Sequence, residues 1–171
     1  TEDDILAAEQ LAEDLVAATS DTSSMVGYSS ALRRIATKMN KISNDLRLLG
    51  SGPRCGLHEL DLPARQPGSS IMPGKVNPVI PEVMNQICFN VIGNDTTITY
   101  AAEAGQLELN AFEPITFRCL FESLDTLCNG VAIFIKDCVS EITVNPTQCK
   151  THLDRSIGIV TALCPYIGYT K

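Results

Sequence analysis

The segment Gly68-Ser69-Ser70-Ile71-Met72-Pro73-Gly74-Lys75-Val76-Asn77-Pro78 gathers two hydroxyls, a cation and an amide into one short run. No other stretch of the chain is as dense in groups that could do chemistry. A serine is a poor base in water because its alkoxide is costly. It can serve only where donors stabilise the oxyanion in a dry site. Glycine leaves room for backbone N–H groups to turn inward and form such a cradle. Ser69 and Ser70 both follow Gly68, so either could be held that way, and the residues alone do not choose between them. Lys75 and Asn77 precede Pro78, which suits a helix start. Free N–H groups at such a start attract an anion; Lys75 adds a full charge and Asn77 an amide donor.

Taken singly, these residues carry less. Gly-Ser-Ser is commonly a flexible loop, a lysine a surface charge, and Asn-Pro an ordinary helix start. Lys75 comes six residues after Ser69 and five after Ser70, which does not fit the Ser-x-x-Lys spacing of some acyl-transfer enzymes.

A reactive loop needs rigid elements on both sides, and the flanking sequence predicts long helices. Over residues 22–49, Met25, Tyr28, Leu32, Ile35, Met39, Ile42, Leu46 and Leu49 recur at spacings of three and four, a sustained heptad stripe. Thr19, Ser20, Asp21 and Thr22 offer N-caps and Gly50 a stop. Residues 51–77, broken by Pro53, Pro63, Pro67 and Pro73, read as a long loop in which Glu59-Leu60-Asp61-Leu62 alternates like a brief strand. Loops of this length inside compact domains are often functional.

A second helix is expected over 78–104, with Pro78 and Pro81 in its first turn and Asn77 as N-cap. From Val83 to Ala104 only Asp95 and Glu103 are charged, so this helix should be surrounded on nearly all sides, with partners for its amides and hydroxyls. A third is expected over 114–141, with Phe117, Leu120, Leu124, Leu127, Val131, Phe134 and Cys138 as its seam, and residues 147–156 fit a short helix. The fold class is therefore all-α, a bundle of long helices. The three seams do not obviously close on one another, so further partners are expected, from more chain or from other subunits.

Length and composition bound the rest. A chain of 171 residues with 44% apolar content can bury a real core. A net charge of −7 argues against general nucleic-acid binding. No apolar run is long enough to span a bilayer, and no signal peptide or lipidation site is visible. Glu2, Asp3, Asp4, Glu9, Glu13 and Asp14 crowd the start and read as the solvated face of a first helix. The seven cysteines are odd in number and lack a CxxC pair. Those in helical stripes read as buried free thiols, pointing to a reducing, cytoplasmic setting. His58 and His152 belong to no cluster with zinc spacing, so no metal site is expected; both read as surface residues. Arg54 could bind an anion, but it reads rather as one half of a structural ion pair.

The run from Gly68 to Pro78 resembles the signature loop of the fumarase/aspartase superfamily, GSSxMPxKxNP, at every fixed position. Ser51-Gly52-Pro53-Arg54-Cys55-Gly56-Leu57 is similar to the segment upstream of that loop. Gly93-Asn94-Asp95-Thr96-Thr97 and the stretch from Ala101 to Asn110 are most like the aspartate ammonia-lyases of the superfamily. The resemblance runs from about Ala17 to the C-terminus. It implies reversible deamination of L-aspartate to fumarate and ammonia, without an organic cofactor. Ser69 is implied to be the base that removes a carbon-bound proton, with Ser70, Met72, Lys75 and Asn77 as substrate-binding residues. Glu82 would pair with a histidine of another subunit.

The resemblance further implies a homotetramer acting on a small dicarboxylate. Residues 1–145 would form part of a central helical domain carrying the loop 51–78, and residues 146–171 the start of a small C-terminal domain. The upstream regions that supply threonines, serines and a histidine to such sites are not found in this sequence, so the site is expected to be incomplete here. Fumarate hydratase is the nearest alternative, and a non-catalytic helical assembly module is one of a different class.

Overall fold

The computed structural model describes residues 14–68, 71–72 and 74–168, apart from the side chains of Leu15 and Ile159. A six-residue α1 (Leu15–Ser20) precedes the three long helices expected from the sequence, present as α2 (Ser23–Leu49), α3 (Val79–Glu103) and α4 (Glu113–Asp137). Two short strands, β1 (Leu60–Asp61) and β2 (Thr143–Val144), precede α5 (Pro146–Arg155) and the short α6 (Cys164–Ile167). Asp14 caps α1, its Oδ1 accepting from the N–H groups of Val16 and Ala17 at 3.0 Å. Glu2, Asp3, Asp4, Glu9 and Glu13 lie outside the described residues. Asp21 accepts from the hydroxyl and N–H of Ser23, bonds that hold its carboxyl below the usual range.

The chain divides into two compact units, Thr1–Lys41 with Val83–Ala132, and Ile42–Glu82 with Ile133–Lys171. In the first, α2 turns only part of its apolar stripe inward, Leu32 and Met25 among it. Thr22, Ser29, Leu32 and Ala36 are buried, whereas Tyr28 and Ile35 are 51% and 47% exposed. The reason lies on α3. Asp95 is buried there and needs partners, which α2 supplies through the Ser29 hydroxyl at 2.7 Å, the Ser30 hydroxyl at 3.4 Å and Arg33 Nε at 3.2 Å. One turn or more along, Asn85 donates to the Asn40 side chain at 2.6 Å. Small side chains on α2 let these short polar groups meet, and the Tyr28 and Ile35 side of the stripe is left to the outside.

Ile98 of α3 with Cys119 and Leu120 of α4 form a buried apolar cluster against which Met25, Val26 and Ile115 pack. The α4 seam follows the expected spacing, with Leu120, Leu127, Phe134 and Cys138 buried. Phe117 is less covered and stacks on Phe121 with ring centroids 6.1 Å apart. Helix α3 is not surrounded, however: Val83, Phe89 and Tyr100 are each at least half exposed. Its amides do find partners, Asn90 on Glu122 and Asn94 on Ser123, while Thr96, Thr97 and Thr99 bond back to carbonyls of their own helix. All seven cysteines are free, and burial pushes the thiols of Cys88, Cys119 and Cys138 upward.

In the second unit the brief strand foreseen near Leu60 has a partner that the sequence did not reveal. β1 pairs antiparallel with β2, Leu60 opposite Val144 and Asp61 opposite Thr143. Asn145 caps α5 through Gln148 N–H, and its own N–H donates to the Glu59 carbonyl at 2.9 Å. Arg65 Nε donates to the Asp137 carbonyl at 2.8 Å, and its guanidinium pairs with Glu141. The loop between α2 and α3 is thereby fastened to the chain that follows α4.

Candidate functional site

The signature run is closed on itself by its backbone. A Cβ on Gly68 would lie 1.4 Å from the Lys75 carbonyl oxygen, so no other residue fits there without moving the chain. Gly74 holds φ at +80°, and the Lys75 N–H donates to the Met72 carbonyl at 3.2 Å across that turn. Ser69, Ser70 and Pro73 lie outside the described residues.

Lys75 and Asn77 line a cavity of about 420 Å³ together with His58, Asp61 and Pro78. This is the size range of small-ligand sites. Lys75 has no ion pair among the described residues, and the side chain of Asn77 makes no hydrogen bond among them. Helix α3 begins at Val79, so Asn77 stands ahead of the capping position rather than in it. Its amide is thereby left to face the cavity. Met72 is half exposed and does not line this cavity; nor does Glu82, which sits half-buried in the first turn of α3. A shallower concavity of about 610 Å³ shares Lys75 and Gly74 with the first and adds Arg54 and Cys55. Arg54 is exposed and has no ion pair among the described residues, contrary to the structural pair expected for it.

Neither histidine is a plain surface residue. His58 adopts φ +48°, a left-handed conformation uncommon outside glycine. Its N–H donates to the Ser51 carbonyl at 2.8 Å, and the following Glu59 N–H to the Leu49 carbonyl at 2.9 Å. These bonds pin the turn to the end of α2. The turned backbone brings His58 Nε2 to 2.9 Å from Asp61 Oδ1, with the imidazole only 29% exposed. His152 of α5 places Nδ1 at 2.6 Å from Glu59 Oε1 and Nε2 at 3.1 Å from the Gln148 amide. His58 and Glu59 are thus neighbours with separate duties, one on the cavity and one clasping α5. The only hint in the sequence was a histidine three residues before an aspartate. That spacing gained meaning only from the left-handed turn. Among the described residues no group of three or more His, Cys, Asp or Glu could hold a metal ion.

Residues 4–93 match the family model described as "Lyase". The chain is 57% identical over 158 residues to the aspartate ammonia-lyase of Escherichia coli (strain K12), covering 92% of this chain and 33% of that protein. It therefore spans about a third of the length of the curated relatives it matches. Among solved structures, it resembles the fumarate lyase:delta crystallin from Brucella melitensis in native form, with a TM-score of 0.84 and 54% identity over 92% of this chain and 37% of the other. It also resembles a class II fumarase from Schistosoma mansoni, with a TM-score of 0.88 and 40% identity over 92% of this chain and 33% of the other.

Proposed function

The chain belongs to the lyase family, and we propose that it is the part of an aspartate ammonia-lyase that carries the base loop and one carboxylate site. The observation that carries the proposal is the cavity shared by Lys75 and Asn77 just ahead of a 25-residue helix, in a chain 57% identical to named aspartate ammonia-lyases. An ammonium without an ion pair and an amide without a hydrogen bond among the described residues, beside a helix start, suit a substrate carboxylate. Ser69 takes the proton from the carbon beside the distal carboxylate, and its electron pair passes into that carboxylate to give an aci-carboxylate dianion. Collapse of the dianion forms the carbon–carbon double bond of fumarate and breaks the neighbouring carbon–nitrogen bond, releasing ammonia. Donors fixed around the developing charge lower this barrier. Ser70 and Met72 complete the substrate contacts, and Glu82 supports a histidine of a neighbouring subunit.

The same reading takes residues 1–145 as part of the central helical domain and 146–171 as the start of the C-terminal one, in a cytoplasmic homotetramer. Among the described residues no helix is long and apolar enough to cross a membrane. Tyr28, Ile35 and Ile42 recur every seven residues on α2 and are about half exposed, which suits helix-to-helix contact with other copies.

The test is a fumarate assay by ultraviolet absorbance on the complete enzyme. Aspartate is expected to be turned over and malate to be essentially inert. Dehydration of malate at a comparable rate would favour the hydratase reading, to which the 40% identity with a class II fumarase gives weight. The 171 residues alone should associate in light scattering and make no fumarate, since the rest of the site is not among them. A well-behaved monomer would refute the association, and turnover near that of a complete enzyme would refute the incomplete site.

A further inference from the structure

The cavity that holds Lys75 and Asn77 takes one of its walls from residues 58–64, and we propose that His152 of α5 is a positioning residue for the substrate carboxylate, acting on that wall through Glu59. This rests on the carboxylate reading of Lys75 and Asn77 and deepens it. Of residues 58–64, Glu59 alone does not line the cavity. Its polar groups are spent on anchoring instead. Its N–H donates to the Leu49 carbonyl, and its own carbonyl accepts from the Asn145 N–H, both at 2.9 Å. Its carboxylate meets His152 Nδ1 at 2.6 Å. A carboxylate only accepts, so Nδ1 carries the hydrogen, and Nε2 of the neutral ring accepts from the Gln148 amide at 3.1 Å. The ring is therefore fixed at both nitrogens, and α5 holds Glu59 through it.

The wall has little else to hold it. β1 is two residues long and pairs only with Thr143 and Val144, too short a ladder to be rigid by itself. Its position depends on the anchors at its ends, Glu59 at one and Arg65, which bonds the Asp137 carbonyl and Glu141, at the other. Glu141 is 52% exposed, so water competes for that pair, whereas the side chains of His152 and Glu59 are 32% and 27% exposed. The bond from a ring N–H to a carboxylate is also of the strong, charge-assisted kind. His58 and Leu60 flank Glu59 and both line the cavity, so a slack Glu59 moves the wall on either side of it. The wall meets the carboxylate in ground and transition states alike. Loosening it therefore raises KM more than it lowers kcat. Lost stability alone does the reverse: fewer active molecules lower the apparent kcat and leave KM where it was.

The experiment measures KM, kcat and the thermal midpoint of the complete enzyme with L-aspartate. His152→Leu keeps bulk and removes both ring nitrogens; His152→Asn keeps an N–H donor where Nδ1 stands. His152→Leu is expected to raise KM about tenfold, the scale of one lost charge-assisted bond, with kcat within about twofold of wild type. His152→Asn should recover most of the loss. Glu59→Ala reaches the same bond from its other side, and the double variant with His152→Leu should be no worse than either single one, because both act through one contact. Lys150→Ala, which breaks only the exposed pair with Asp154 on the same helix, should leave KM unchanged. An unchanged KM in His152→Leu and Glu59→Ala, with or without a lower thermal midpoint, overturns the proposal. So does His152→Asn performing no better than His152→Leu. Lys75→Met is assayed alongside. If it raises KM while the His152 and Glu59 variants do not, His152 is structural and the carboxylate site stands. If Lys75→Met leaves KM unchanged, the carboxylate reading itself fails, and this proposal with it.

Discussion

Asp95 in the first unit and Lys75 in the second are both charged, and their surroundings treat them in opposite ways. Asp95 is 3% exposed and surrounded by two serine hydroxyls and a guanidinium. Lys75 is exposed, with no ion pair among the described residues, and so is Arg54 nearby. The buried carboxylate on α3 is consumed in holding the helices together, because an unpartnered charge in their interior would be costly. On the loop, Lys75 and Arg54 have no ion pair among the described residues, while Arg65 to Glu141 and His152 to Glu59 fasten it. Scaffold and site are therefore separable: damage to one should show in stability and damage to the other in turnover.

The largest expected effects are on the loop. Ser69→Ala in the complete enzyme should abolish turnover with assembly intact, since loss of a positioned base costs on the order of 10²–10⁴ in rate or more. Activity within severalfold of wild type would sink the assignment. Gly68→Ala sharpens the contrast, because its methyl would overlap the Lys75 carbonyl and the loop must open to admit it. A displacement of that size at a reacting centre costs about 10²-fold. Circular dichroism and the denaturation midpoint should barely change; their collapse would show that loop and scaffold are one unit after all. Lys75→Met should raise KM strongly and lower kcat, roughly ten- to hundredfold in kcat/KM for a lost charge-assisted bond. A change in thermal stability alone would make it a structural residue.

The sequence carried these two regions unequally. The helices were legible because heptad spacing reports burial directly, and α4 obeys it from Leu120 to Cys138. On α2 the same rule held for Met25 and Leu32 but not for Tyr28 and Ile35. Spacing ranks residues by apolar size, whereas the contact with α3 is set by a buried carboxylate that needs the small hydroxyl of Ser29. In the loop, the motif drew attention to Lys75 and Asn77, and both line the cavity. The contact of His58 with Asp61 could not be read from the sequence, since it depends on a left-handed residue and on a strand paired with β2, more than eighty positions away. Ser69 and Ser70 rest on the motif alone.

Asp95→Ala is the matching test on the scaffold side. It leaves the buried Ser29 hydroxyl without its acceptor and frees the half-exposed Arg33 to solvent. The cost should be about 1–3 kcal/mol in the stability of the complete enzyme, chiefly the desolvated hydroxyl and the lost bonds. KM for aspartate should not move. A raised KM with unchanged stability would contradict the division of labour drawn from Asp95 and Lys75.

The smallest expected effect separates buried from exposed thiols within the same helices. Burial raises the values of Cys88, Cys119 and Cys138 above those of the unfolded chain. Below the unfolded value both states keep their protons, and these groups give no pH dependence. As pH rises past it, the unfolded chain releases protons that the folded chain retains. Stability then falls until the folded value is passed, by at most about 1.4 kcal/mol per pH unit for each thiol. Cys88, fully buried on α3, is the clearest case, and Cys128, exposed on α4, is its control. Denaturation midpoints measured from neutral pH into the alkaline range should decline less steeply in Cys88→Ala than in wild type, although the variant is less stable throughout. Cys128→Ala should follow the wild-type slope. Parallel curves for wild type and both variants would mean that Cys88 ionises as readily in the folded protein as in the unfolded chain, and that the packed interior of the first unit does not exclude water from it.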